Sequence, residues 1–193
     1  MSYYSHMGQS IIKQTIKLME SLQMNKVQHL LDLYWDYKIP VNLDKLVKNM
    51  GLHVRYVEYI EGDSPEYKLT GRIDQINGLI VCSINSTQSN LIQRFTLAHL
   101  IGHYICNHGF GFKCNLKSFD VIDSKNLDMF NSTIDPRNIE ANKVAIQILM
   151  PEVAVNHLIQ KENITDIAEL TRWFEVSQTM MLDRLKQLGW LND

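Results

Sequence analysis

The sequence predicts an α+β domain in which a small antiparallel sheet is flanked by helices. Apolar residues recur every three or four positions over the first third of the chain, which is the period of an amphipathic helix. Two β-prone runs then meet at Asn77-Gly78, a strong signal for a tight hairpin. Helical periods return after this hairpin and continue to the end of the chain, so helices precede and follow the predicted strands.

The composition is that of an ordinary globular protein. Of the 193 residues, 45% are hydrophobic and 21% are charged, which is enough apolar material for a core. The formal net charge of −2 provides no basic field for nucleic acid or an acidic membrane. No stretch approaches the roughly 18 apolar residues of a membrane-spanning helix. Three cysteines without a C-x-x-C pair, and no secretory signal, predict a reducing cytoplasm.

The N-terminal elements are predicted from period and capping residues. The periodic apolar positions of the first helices are Ile12, Ile16, Met19, Leu22, Val27, Leu30 and Leu31. A short helix follows, with Asn42 as its candidate N-cap and Gly51 where a helix end favours a left-handed residue. "HVRYVEYI" then alternates weakly like a strand and "YKLTGRIDQINGLIVCSIN" supplies the hairpin, so we expect two or three antiparallel strands.

A strongly apolar helix follows the hairpin, in "STQSNLIQRFTLAHLIGHYIC". Ser86 or Thr87 is its candidate N-cap. Its predicted buried face consists of Leu91, Phe95, Ala98, Ile101 or Gly102, and Ile105. The connection after it is long, and such connections are usually functional or mobile. Four phenylalanines predict that it docks on the protein: Phe110, Phe112, Phe119 and Phe130. The next apolar helix, "IEANKVAIQILMPE", is ended by Pro151, and two or three short helices complete the chain.

Two histidines stand four residues apart in the apolar central helix. Positions i and i+4 lie above one another on one helix face, so His99 and His103 can converge on one metal ion. Glu140 begins the next helix and is a candidate third ligand, because two histidines, a glutamate and a water form a catalytic zinc arrangement. In zinc peptidases with this spacing, a glutamate after the first histidine acts as general base. Here that residue is Leu100.

The residues around the histidine pair resemble a known family. A bare pair is more often a coincidence on a partly buried helix, but "RFTLAHLIGHYI" resembles "RFTLAHELGHYL", the signature of the ImmA/IrrE-type metallopeptidases. "IEANKVAIQILMP" is similar to the second motif of that family, in which a Glu-Ala-Asn run supplies the third ligand. "IPVNLDKLVKNMGLHVRY" and "LTRWFEVSQTMMLDRLKQLGW" are similar to its opening and closing segments, so the resemblance covers roughly residues 25 to 192.

The resemblance implies a fold, a site and a partner. It implies a zincin-like His-x-x-x-His helix beside a small sheet, and one zinc ion held by His99, His103 and Glu140. It also implies proteolysis, typically of a helix-turn-helix repressor in a phage, a mobile element or a stress circuit. Leu100 departs from the family pattern, because leucine can neither accept a proton nor hydrogen-bond the attacking water.

The missing glutamate predicts an inactive or strongly impaired enzyme. A positioned general base contributes about 10²–10⁴-fold to the rate, or about 3–5 kcal/mol of barrier. Leucine at the degenerate general-base position, Leu100, also favours a drier cleft that suits an apolar side chain of a bound protein. Neutral decay of the site is the alternative explanation. Asp120 and Asp123, in the long connection, are candidates for a replacement base.

Cys106 and His108 are predicted to lie outside the metal site. Cys106 is about 10 Å along the helix axis from His99, so the two and His103 cannot readily share one ion. It is predicted to be a small buried apolar residue instead. His108 follows the predicted helix end and is expected to face a loop or the surface.

Three functions follow from these observations. The first is a catalytically impaired domain that binds a protein partner, a helix-turn-helix repressor or an antitoxin-like regulator of a phage or mobile element, and so acts in transcription regulation. The second is an active zinc endopeptidase that cleaves such a repressor. The third is a DNA-binding regulator that uses the C-terminal helix-turn-helix-like segment. Arg184 and Lys186 are the cations of that segment, but its other positions look like core, so a nucleic-acid partner is not expected.

The expected organisation is a single metallopeptidase-like domain over residues 1–193. We expect N-terminal helices in 1–50, the sheet and the helices of the metal site in 53–150, and a C-terminal helical segment in 152–193. The protein is expected in the cytoplasm and without a membrane partner.

Overall fold

The structure, a computed structural model, describes residues 26–62, 68–115 and 135–192. The helices in these ranges are α1 (which includes residues 26–34), α2 (Leu43–Asn49), α3 (Asn90–Ile105), α4 (Pro136–Leu149), α5 (Glu152–Gln160), α6 (Ile167–Phe174) and α7 (Gln178–Gln187). The strands are β1 (His53–Val57), β2 (Leu69–Ile76), β3 (Leu79–Asn85) and β4 (Phe112–Asn115). Several residues named above lie outside the described residues: Ile12, Ile16, Met19, Leu22, Phe119, Asp120, Asp123 and Phe130.

The α+β class is confirmed, and the sheet is mixed. Its strand order is β1-β3-β2-β4, with β2 antiparallel to both β3 and β4. Asn77 and Gly78 have φ of 51° and 81°, as the predicted tight hairpin requires. The expectation of only antiparallel strands is wrong for β1, which pairs parallel with β3. The hairpin turn fixes the β2–β3 pair locally, whereas β1 reaches its partner only through tertiary packing.

Helix α3 lies between the sheet and α4 and is buried on nearly all sides. Residues 95–103 are all buried. A helix that is apolar all round is expected in such a position. Of the predicted buried face, Phe95, Ala98 and Ile101 are in the core, but Leu91 in the first turn is 46% exposed.

The helix caps match the prediction for α2 but not for α3. The side chain of Asn42 accepts a hydrogen bond from the backbone N–H of Lys45 at 2.9 Å, as expected. For α3 the N-cap is Ser89. Ser86 and Thr87 are not the cap, since they belong to a turn in which the side chain of Asn85 accepts from Thr87.

Two glycines allow α3 to pack closely on both of its neighbours. A Cβ at Gly71 on β2 would collide with the methyl group of Thr96 and approach Leu100 Cδ1 at 3.3 Å. A Cβ at Gly102 would lie 2.6 Å from the carbonyl oxygen of Ala141 on α4. The sheet and α4 are therefore both held against the helix that carries the histidines.

The C-terminal segment consists of three short helices, and α4 ends just before Pro151, as predicted. Met180, Met181 and Leu185 of α7 are in the core. Arg184 is also buried, and its Nε donates to the backbone oxygen of Met150 at 3.0 Å. Burial lowers the pKa of Arg184 to about 10. Among the described residues, no helix is long and apolar enough to cross a membrane.

Candidate metal centre

His99 and His103 converge as their spacing predicts. Their Nε2 atoms are 2.9 Å apart, and the two residues are 1% and 0% exposed. Two nitrogens on one tetrahedral zinc ion are about 3.3 Å apart, given bonds of about 2.0–2.1 Å. The observed separation therefore needs only a small movement to admit an ion.

Two asparagines of α4 face the histidines across the helix pair. His99 Nδ1 lies 2.6 Å from Asn142 Oδ1, and His103 Nε2 lies 3.1 Å from Asn138 Oδ1. Asn138 and Asn142 are themselves four residues apart, so the two i, i+4 pairs meet face to face. Because an amide oxygen accepts, His99 carries its proton on Nδ1 and presents the lone pair of Nε2 to His103.

The environment keeps both rings neutral. Burial is the main cause that lowers the pKa of His99 to about 4 and the pKa of His103 to about 3. At pH 7 each ring thus has one nitrogen with a lone pair, which is the form that binds a metal ion.

His108 belongs to this site, contrary to the expectation that it faces a loop or the surface. Its Nδ1 lies 2.9 Å from His103 Nδ1, and its side chain is only 7% exposed. Asn107 has φ of 58°, and the N–H groups of Asn107 and His108 donate to the carbonyl oxygens of Tyr104 and His103. This is a Schellman motif, which folds the chain back over the last turn of α3. An asparagine after the helix end was the sequence signal for that turn.

Glu140 lies against His108 rather than against the histidine pair. Its Oε2 accepts from His108 Nε2 at 3.0 Å. Two residues turn about 200° on an α-helix, so Glu140 leaves α4 on a different face from Asn138 and Asn142. Among the described residues, the ligand atoms of Cys106, His108 and Glu140 all lie within 4.8 Å of one another, and His99, His103 and Glu140 do not form such a group.

An aromatic ring and a guanidinium cover the outer side of His103. Phe112 on β4 stacks on the His103 ring with centroids 4.1 Å apart. The guanidinium of Arg137 lies 4.6 Å from the centre of the Phe112 ring. Of the phenylalanines predicted to dock, Phe112 does so and shields the histidine pair, whereas Phe110 is 43% exposed.

Leu100 points into the core between α3 and the sheet. It is 0% exposed and lies on the face of α3 that packs against Gly71. Thr96, one turn earlier, shares this face. Leu100 is therefore a core residue, and the expectation of a drier cleft that suits an apolar side chain of a bound protein stays a prediction.

The donor set fits zinc in part. The two histidines provide neutral imidazole nitrogens that converge, and an asparagine orients His99. Zinc, when bound, supplies Lewis-acid polarisation of a carbonyl and acidifies a water molecule. Glu140 completes the set only if its carboxylate leaves His108. The assignment of the ion to His99, His103 and Glu140 stays a prediction.

Comparison with known proteins identifies the family. No curated protein matches the chain. A family model described as Peptidase_M78, IrrE N-terminal-like domain, matches residues 47–186. The matched region is well over half of the chain and contains both histidines and Glu140. It confirms the predicted resemblance and a metallopeptidase-like domain. The chain therefore belongs to the family of the IrrE N-terminal-like domain, a family of zinc metallopeptidases.

Proposed function

We propose that this chain is a hydrolytically impaired member of its family that acts by binding a protein partner. The observation that carries the proposal is the position of Leu100, which is 0% exposed and packed on β2. A leucine side chain has no polar atom with which to orient a water molecule beside the histidines. The loss of a general base costs about 10²–10⁴-fold in rate.

The other titratable groups at the site are poorly placed to replace the base. Glu140 accepts from His108 Nε2, and the remaining nitrogen of His108 contacts His103. Both groups are thus engaged within the protein rather than directed at a substrate. Hydrolysis with zinc on His99, His103 and Glu140 would require that this arrangement be broken first.

The family supports a protein as the partner. We infer a helix-turn-helix repressor, or an antitoxin-like regulator, of a phage or mobile element, which would place the chain in transcription regulation. A cytoplasmic location is part of the proposal: all three cysteines lie in the described ranges, and none of them forms a disulfide.

DNA binding by the C-terminal helices is the weaker alternative. Arg184, one of the two cations on which it depends, is 5% exposed and donates to the backbone of Met150. A buried guanidinium cannot contact phosphate, so Arg184 is not available for nucleic-acid recognition.

The test uses zinc-loaded wild type and His99→Ala, each mixed with a candidate repressor and with a broad peptide mixture. We expect the repressor to co-elute with wild type as a stable complex, and mass spectrometry to detect no cleavage products beyond those of His99→Ala. Products that depend on wild type and disappear with a chelator would instead establish an active endopeptidase. Salt-dependent retention of a DNA fragment would support the DNA-binding alternative.

A further inference from the structure

A second group of metal-ligating side chains lies beside the histidine pair. We propose that Cys106, His108 and Glu140 form a zinc site of their own, separate from the family's histidine pair. Their ligand atoms all lie within 4.8 Å of one another. The proposal goes beyond the proposed function, because it concerns where the chain binds a metal ion and not which partner it binds.

The donor chemistry is that of a zinc site. Thiolate, imidazole and carboxylate are all zinc ligands, with bonds of about 2.3, 2.0–2.1 and 2.0–2.2 Å, and three protein ligands leave the fourth position to water. The observed 3.0 Å between His108 Nε2 and Glu140 Oε2 is close to the roughly 3.3 Å between two such ligands on a tetrahedral ion. The third ligand atom, Cys106 Sγ, lies within 4.8 Å of the other two.

The backbone holds these ligands in place before any ion binds. Cys106 is the C-cap of α3, and its N–H donates to the oxygens of Gly102 and Tyr104. The Schellman turn then places His108 over the same helix end. The backbone at Glu140 is held close to α3 from the other side, because Ala141 rests directly on Gly102. Such preorganisation favours a real site over an accidental approach of three side chains.

Solvent access also favours the new site. The histidine pair is enclosed, with His99 and His103 only 1% and 0% exposed. Cys106 is partly exposed, and the side chain of Glu140 is 39% exposed. An ion can therefore reach these ligands without displacement of Phe112 from the His103 ring.

An ion on His108 changes the proton positions in this network, because His108 Nε2 then binds the metal and no longer donates to Glu140. If Nε2 of His108 binds the metal, Nδ1 carries the proton and donates to His103 Nδ1 at 2.9 Å. His103 then carries its proton on Nε2 and donates to His99 Nε2 at 2.9 Å or to Asn138 Oδ1 at 3.1 Å. Both ring-to-ring contacts then pair a donor with an acceptor.

An ion on the histidine pair requires the opposite arrangement. His103 must then carry its proton on Nδ1 and donate to His108, and Glu140 must turn away from His108. Both arrangements use the carboxylate of Glu140 and the single proton between His103 Nδ1 and His108 Nδ1. The two sites therefore exclude each other, and the chain holds one ion at a time. An ion at Cys106 is also displaced from the motif positions used in hydrolysis.

The test is cobalt(II) substitution, since a thiolate ligand gives cobalt a charge-transfer band in the near ultraviolet. We expect wild type to bind one cobalt per chain with this band, His99→Ala to keep the band, and Cys106→Ser to lose it. The metal affinity of Cys106→Ser should be at least about 100-fold lower than that of wild type. Mutation of a residue that only hydrogen-bonds a metal ligand already lowers metal affinity by about 10–100-fold, and Cys106 is itself a proposed ligand. A wild-type complex without the band, a band lost in His99→Ala, or a band kept in Cys106→Ser would each overturn the proposal.

A second measurement needs no variant and so does not depend on folding of a mutant. Iodoacetamide labelling of wild type, read by mass spectrometry for each cysteine, should be slowed at Cys106 by added zinc. Cys82 and Cys114 are 0% and 2% exposed and serve as internal controls that stay unlabelled in both conditions. Equal labelling of Cys106 with and without zinc would contradict the site, and this result is independent of the peptide-cleavage assay.

Discussion

Leu100→Glu restores the family's motif, yet we expect it to destabilise the protein rather than to restore hydrolysis. Leu100 is 0% exposed, and its Cδ1 lies 3.3 Å from the place that a Cβ on Gly71 would occupy. The side chain therefore fills the interface between α3 and β2. A glutamate at this position brings a carboxyl group into an apolar core.

The magnitude follows from the cost of a buried carboxyl. To stay neutral at pH 7, a glutamate of ordinary pKa about 4.3 must bind a proton at a cost of about 4 kcal/mol. The hydroxyl of Thr96, one turn away, is a buried group without a hydrogen-bond partner within the described part of the chain. A bond to it would return about 1 kcal/mol. With lost leucine packing included, we expect unfolding free energy to drop by about 3–5 kcal/mol.

The assay is urea unfolding, followed by circular dichroism at several pH values with wild type and Leu100→Met alongside. Burial raises the pKa of the introduced glutamate in the folded state above its unfolded value. The loss of unfolding free energy relative to wild type should therefore be small below about pH 4.3 and grow as the pH rises. Leu100→Met keeps an apolar side chain of similar volume and should cost less than about 1.5 kcal/mol. If Leu100→Glu were as stable as wild type at every pH and gained chelator-sensitive hydrolysis, position 100 would face an open site and our reasoning would be wrong.

Three further predictions test the packing and the electrostatics. Gly102→Ala forces a Cβ to within 2.6 Å of the Ala141 oxygen, so thermal unfolding should show a loss of about 1–3 kcal/mol, and unchanged stability would contradict the close contact. With a chelator present, stability should fall as the pH drops from 6.5 towards about 4, because His99 and His103 both resist protonation in the folded state. Each histidine contributes a slope of about 1.4 kcal/mol per pH unit, so His99→Gln should remove about half of the total slope. Arg184→Lys should destabilise by about 1–3 kcal/mol in urea, since the guanidinium bond to the Met150 oxygen is buried, and should leave DNA retention unchanged.

The local elements of this fold could be predicted because nearby residues determine them. Asn77 and Gly78 adopt the positive φ that the hairpin needs, and Asn42 caps α2 through its own side chain. Val27, Leu30 and Leu31 of α1 are buried at the predicted helical spacing. Pairing across the sheet could not be predicted in the same way. The parallel β1–β3 pair and the short strand β4 depend on residues far apart in sequence, for which the local pattern carries little information.

The sequence by itself determined the family and the convergence of His99 and His103, because i, i+4 geometry is a property of any helix. Only the tertiary structure decided which other groups surround them. Close packing at Gly102 and the turn at Asn107 join Glu140 to His108, although each lies on a different segment. The packing of α3 on β2 likewise decided that the side chain of Leu100 is buried in the core. These outcomes depend on how helices and sheet approach one another, which side-chain spacing within a single helix does not specify.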